Sequence, residues 1–163
     1  MINLKELMSR HAQDGCLEWI GVRPERHADL LFLDEAEITF GGLAGDHARP
    51  GKRAVTLIQS EHIPVIAALA GHGTVAPETL RRNLVVSRLN LAALRGAVIA
   101  VGSAHLHISK ICAPCSRMET ALGHGGYSAM RGHGGWCAEV IEPGHAKLGD
   151  PVRILEHGLK SAS

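Results

Sequence analysis

Residues 109–118, SKICAPCSRM, place two cysteines at Cys-x-x-Cys spacing between an alternating apolar run and a segment of good helix formers. A thiol where a strand meets a helix start gains from the partial positive charge of the helix's free N–H groups, which lowers its pKa and favours the thiolate. Pro114 directs the turn onto its neighbour, so Cys115 is the expected reactive thiol and Cys112 the lesser one. Arg117 sharpens the effect if its side chain turns back toward Cys115.

Three further stretches carry candidate chemistry. Residues 41–58, GGLAGDHARPGKRAVTLI, set glycines before Asp46 and His47 and then gather Arg49, Lys52 and Arg53 within five positions. Flexible glycines let the backbone approach a ligand, and clustered cations suit phosphate or another oxyanion. The plainer alternative is a solvated hairpin with scattered charge. Arg81, Arg82 and Asn83 stand at the entrance of a strand, where two guanidiniums and an amide can fork onto a phosphate or carboxylate, or pair with surface acids such as Glu78. His105 and His107 share one face of the alternating run; such a pair can ligate a metal, but is more often the wet face of a half-exposed sheet. His62 reads as a surface histidine.

The elements that must position these groups are short. At 163 residues the chain fits one domain with a real core. Apolar residues at 45% and charged ones at 20% are ordinary for a globular protein, and a net charge of +1 gives no reason to expect bulk nucleic-acid or membrane binding, while allowing a local basic pocket. The 19 glycines exceed what a helical bundle needs and point to many turns. No apolar run approaches the roughly 20 residues of a membrane span. The N-terminus lacks the apolar centre of a secretory signal, and four cysteines do not make a dense disulfide framework, so a reducing cytoplasm is expected.

Pattern reading gives an amphipathic helix over residues 2–11, a first strand over 16–22 with Cys16 on its apolar side, and further strands near 37–40, 54–58, 84–87, 98–101, 104–111, 136–141 and 152–155. Short helices are expected over 59–70, with Ser60 as N-cap and Gly71 as its stop, and over 116–122. Residues 123–135 carry so many glycines that a long loop is predicted, and residues 160–163 read as a frayed tail. Strands spaced this way with glycine turns argue for a barrel-like or sandwich fold, mainly β, with two or three short helices.

Several separated pieces, taken together and in order, resemble a MOSC domain, the C-terminal module of molybdenum cofactor sulfurases, which also occurs as a stand-alone bacterial protein. They are GLAGDHARPGKRAVTLI, PETLRRNLVVSRLNLAALRG, VGSAHLHISKICAPCSRM and GGWCAEVIEPGHAKLGDPVRIL. The likeness runs over roughly residues 15–156, so residues 1–163 are expected to form a single MOSC-type domain. It implies a β-rich barrel-like fold and one functional cysteine, matched by Cys115, whose thiolate would coordinate molybdenum or carry sulfane sulfur. It implies that Arg81 and Asn83, with Arg82 adjacent, help hold the phosphate of the molybdopterin cofactor, and that Asp46 and His47 match a loop of less settled role. Arg53 and Arg117 join the expected cofactor-binding set.

The implied activities are sulfur transfer or molybdenum-dependent reduction of N-hydroxylated compounds. The length leaves no space for a pyridoxal-phosphate desulfurase, so such a partner, or an electron-donor protein, is expected. Two other readings stand beside this one: a zinc or thiol-redox module built on Cys112 and Cys115, and a non-enzymatic module whose residues 123–135 bind a partner.

Overall fold

A computed structural model describes residues 1–159; the tail expected at 160–163 lies outside the described residues. The chain runs α1 (Leu4–Met8), β1 (Gly15–Val22), β2 (Leu31–Phe32), β3 (Glu35–Thr39), β4 (Gly42–Leu43), β5 (Val55–Gln59), α2 (His62–Ala70), a 3-10 turn (Pro77–Leu80) and β6 (Leu84–Ser87). A second 3-10 turn (Leu91–Ala93) leads to β7 (Val98–Val101), β8 (Ala104–Ile111), α3 (Ser116–Leu122), α4 (Gly126–Met130), β9 (Trp136–Glu142), β10 (Gly144–Lys147) and β11 (Pro151–Glu156).

Seven strands close on themselves in the order β1-β11-β7-β8-β9-β5-β6, returning to β1, so the sheet is a barrel as expected. All neighbours are antiparallel except β5 and β6. A parallel pair needs a crossover, and α2 supplies it. Alternation along the strands fills the interior with Leu17, Leu57, Leu84, Ile99, Leu106, Ile108, Val140 and Val152, all buried. A separate sheet, β10-β3-β4, adds Ala36, Ile38, Leu43 and Ala146 to the same core. On the outer side Ile58 of β5 and Val85 of β6 pack with Ile66, Met118, Leu122 and Met130 of the helices. These two strands are therefore covered on both faces, which is why they read as unbroken apolar runs.

Four expectations change. Helix α2 starts at His62 after Glu61 in αR conformation, with no side-chain cap; Ser60 contributes only its carbonyl, which accepts from Ile63 N at 3.2 Å. Its end is as read, with Gly71 at φ 76°. Helix α1 spans only five residues, none buried, and Asn3 caps it through Glu6 N at 2.9 Å. Cys16 is half-buried, because Leu17 takes the interior position and the register shifts between Leu17 and Trp19; burial, then Glu18, pushes its thiol up. The glycine-rich residues 123–135 hold a fourth helix, α4, because the Glu119 carboxylate accepts from Gly125 N at 2.7 Å and Tyr127 N at 2.9 Å. Those bonds satisfy free N–H groups at a helix start that the local sequence alone leaves bare.

Candidate functional site

Residues 46–53 are tied into the barrel at both ends. The Asp46 side chain is fully buried; its Oδ1 accepts from Arg23 N at 2.7 Å and lies 3.9 Å from Arg23 Nε. Arg23 O in turn accepts from His47 N at 2.6 Å. At the other end Ser109 Oγ of β8 donates to Lys52 O at 2.6 Å, with Cys137 O at 3.0 Å. The loop is thus held between the end of β1 and the edge of β8.

That fastening assembles a cleft of about 730 Å³ lined by Arg23, Arg26, His47, Ala48, Arg49, Pro50, Lys52, Arg53 and Lys110. Among the described residues six permanent cations face it and no carboxylate does. Such an arrangement focuses a positive field and recruits anions despite a near-neutral chain. Arg49, Lys52, Arg53 and His47 are where the loop reading put them. Arg23, Arg26 and Lys110 were not among the expected residues; Arg23 before Pro24 at the end of β1, and Lys110 beside the cysteines, were the available signals. Asp46 supports this site from beneath and does not line it.

The Arg81-Arg82-Asn83 run divides by backbone geometry. Arg81 adopts φ 60°, a left-handed conformation, which turns its neighbours inward. Its Nη2 donates to Ala28 O at 2.9 Å. Burial, then the Arg23 charge, lowers its pKa, while Asp29 and the Cys115 thiol pull the other way; Arg81 thus lies within electrostatic reach of both the cleft and Cys115. Arg82 is buried and does not reach for a phosphate. Its Nε donates to Gly134 O at 2.7 Å, Nη1 to Leu80 O at 3.1 Å and Nη2 to Cys112 O at 3.2 Å. Asn83 is buried too: Oδ1 accepts from Thr56 N at 3.0 Å and Nδ2 donates to Gly21 O at 3.1 Å. Arg82 and Asn83 thus brace the barrel wall, and neither lines the cleft.

Asn83→Ala is expected to strand Thr56 N and Gly21 O inside that wall and to lower the unfolding free energy by about 2–4 kcal/mol. Urea denaturation measures it, and a change below about 0.5 kcal/mol would contradict the brace.

The two thiols of the Cys-x-x-Cys run sit differently. Cys115 is exposed and occupies the N-cap position of α3, with extended backbone at φ −123° and its carbonyl accepting from Met118 N at 2.9 Å. Arg117 does not turn back to it; the guanidinium instead donates to Nδ1 of His27. Cys112 is half-buried beyond the end of β8, with its N–H on Gly135 O at 2.9 Å. Its pKa is lowered to about 6, first by a hydrogen bond from the Cys137 thiol of β9, then by Arg82, Arg53 and Arg23, which together outweigh its burial. Cys137 moves the opposite way, pushed up first by Cys112 and then by burial. The sequence reading ranked Cys112 below Cys115; the structure gives Cys112 the more cationic surroundings.

His105 and His107 lie half-exposed on the outer face of β8, and His105 Nδ1 is 3.7 Å from Glu142. Among the described residues no group of three or more His, Cys, Asp or Glu side chains converges to hold a metal ion, so Cys112 and Cys115 have no completed four-ligand zinc set around them. Residues 132, 134 and 135 border a small cavity of about 60 Å³ beside His62 and Trp136, room for water only. No helix among the described residues is long and apolar enough to cross a membrane.

The fold and the cleft define a class: small closed β-barrels that hold a basic hollow at the edge of the barrel. Residues 35–153 match the MOSC domain family, and the chain belongs to that family. The same architecture recurs in the YUAD protein from Bacillus subtilis, with TM-score 0.78 and 19% identity over 91% of this chain and 98% of that one. YiiM from Geobacillus stearothermophilus follows at TM-score 0.76 and 18% identity, covering 91% and 79%. YiiM from Escherichia coli gives 0.71 and 21%, covering 93% and 72%. At these identities the likeness is one of fold. No curated protein sequence matches the chain.

Proposed function

We propose that this MOSC protein binds the molybdenum cofactor through its phosphate in the cationic cleft, with Cys115 as the soft thiolate donor, and acts in sulfur carriage or in reduction of N-hydroxylated compounds. The observation that carries this reading is the cleft lined by six cations, two of which, Arg23 and Arg53, also act on the Cys112 thiol. The chain's own groups fit the cofactor: a phosphate wants forked and point cations, supplied by Arg49, Arg53 and Lys52, and a transition metal of soft character wants thiolate. When bound, the cofactor would supply a redox-active metal centre that can also accept sulfur. Arg81, within electrostatic reach of Arg23 and Cys115, adds positive charge to the surroundings of that thiol. His47, exposed at the rim, adds a ring N–H donor.

Pyridoxal phosphate enters only through a partner desulfurase that supplies sulfur; reduction would instead need an electron-donor protein. No nucleic acid or membrane is invoked, since the cationic surface is a bounded hollow. We place the protein in the reducing cytoplasm, where its four free thiols persist.

The test is metal and pterin content of protein made in cells competent for the cofactor. Wild type is expected to carry molybdenum and pterin together. A Lys52→Glu, Arg53→Glu double variant is expected to carry at least ~10-fold less, because like charge in the hollow costs several kcal/mol. Wild type purified with neither molybdenum nor pterin would overturn the proposal.

A further inference from the structure

Three of the six cations in the cleft stand outside the set that a single phosphate needs. Arg49, Lys52 and Arg53 supply that set, while Arg23, Arg26 and Lys110 face the same hollow with no anion assigned to them. A phosphate ester carries about −1.5 to −2 charges near neutrality, so roughly four of the six cations stay unmatched when one phosphate binds. The protein does not match them itself. Among the described residues Arg26, Arg49, Lys52, Arg53 and Lys110 form no ion pair with a carboxylate. Arg23 has Asp46 behind it, but at 3.9 Å its Nε is beyond hydrogen-bond reach of Oδ1 and has no other partner.

The cations also enter from separate walls. Arg23 and Arg26 follow β1, and the bond from His47 N to Arg23 O fixes the start of the loop there. Lys110 belongs to β8, and the bond from Ser109 Oγ to Lys52 O holds the other end of the loop, with Arg53 next in line, against that strand. In the ring β11 and β7 stand between β1 and β8 on one side, and β6, β5 and β9 on the other. The hollow of about 730 Å³ has the size of a site for a whole small molecule.

We propose that the cleft is a diphosphate site, which takes ligands with two or more linked phosphates in preference to one. One phosphate sits on the loop and the β8 wall, and the next on Arg23 and Arg26. Guanidiniums fork onto phosphate oxygens, and each added phosphate brings negative charge to cations that otherwise repel one another. No Phe, Tyr or Trp lines the cleft, so no aromatic ring grips the organic part of such a ligand by stacking, and the phosphate chain carries the affinity. The diphosphate site rests on the reading of the cleft as a phosphate site and is independent of the metal.

Isothermal titration calorimetry compares inorganic pyrophosphate with orthophosphate on the full-length protein, made in cells that do not synthesise the cofactor and held at one ionic strength. Pyrophosphate is expected to bind at least ~10-fold tighter, the effect of one further charge-assisted hydrogen bond. Arg26→Gln and Lys110→Gln, one from each wall, are each expected to weaken pyrophosphate by ~10-fold. Orthophosphate, resting on one wall, weakens in at most one of the two. Arg95→Gln removes an exposed arginine outside the cleft and lowers the net charge equally; it is expected to change neither ligand. Adenosine diphosphate is expected to match pyrophosphate within roughly 3-fold, since stacking on a base would add more than that.

Equal affinity for pyrophosphate and orthophosphate, pyrophosphate binding untouched by either wall variant, or an equal loss in Arg95→Gln would overturn the diphosphate site. Adenosine diphosphate bound at least ~10-fold tighter than pyrophosphate would mean that the base is read, and would overturn it too. Pyrophosphate selectivity in a protein that never acquires molybdenum would defeat the metal reading alone. Molybdenum and pterin in the wild type without that selectivity would defeat the diphosphate site alone.

Discussion

Cys115→Ala is expected to strip molybdenum from protein purified out of cofactor-competent cells, lowering the metal content at least ~10-fold. Changing an outer partner of a ligating side chain commonly costs 10–100-fold in metal affinity, so removing the donor atom itself should cost no less. The prediction is sharp because Cys115 bears little weight in the fold: it is exposed, and surface substitutions of this kind usually fall within about 0.5 kcal/mol. Unchanged urea denaturation together with lost metal would separate ligation from folding. Pterin measured alongside reports whether the cleft alone retains the organic part through its phosphate. Molybdenum retained at wild-type level in Cys115→Ala would remove that sulfur from the metal's coordination.

The largest expected effect on stability belongs to Gly135→Ala. Gly135 has φ +95°, and a Cβ built there would lie 2.0 Å from the Leu57 carbonyl oxygen and 3.0 Å from its carbon. Neither atom can rotate away, because both are backbone of a central barrel strand. Relief requires β9 to move off β5 where Trp136 pairs with Leu57, and the same shift would pull Gly135 O from the Cys112 N–H. Left-handed strain adds about 1–3 kcal/mol, and the collision carries the total to roughly 4 kcal/mol or more, at the extreme of single substitutions. Gly125→Ala is the control: φ is +85° but nothing lies within 4 Å of its Cβ, so only the strain remains. Denaturant unfolding of the two variants gives the comparison, and equal losses would mean that the β5–β9 seam yields more easily than its geometry implies.

Much of the fold was legible because strand periodicity survives in the chain. The runs at 84–87, 104–111 and 116–122 fall where the elements form, and the cation-bearing loop does line a cleft. What stayed hidden depends on backbone angles and on neighbours distant in sequence. Arg81, Arg82 and Asn83 look equivalent as letters, yet around a single left-handed residue one stays half-exposed and two turn into the wall. The partnership of Cys112 with Cys137 depends on the register of β8 against β9, with its shift between Ile108 and Lys110. Arg23 is held at the cleft by a buried carboxylate 23 positions away, and α4 forms because Glu119 of another helix caps it.

Barrel closure has a consequence for the chain as it is made. The ring is completed by two residue pairs, Gly15 with Val152 and Cys16 with Pro151, which join the first strand of the barrel to the last. Until residues 151–156 have left the ribosome, β1 and β7 each present an unpaired edge, the kind of border that recruits strands from other chains. Premature stops just before that segment should therefore yield aggregates rather than a shorter working protein, and any ligand that needs the finished hollow must arrive after residues 151–156 have emerged.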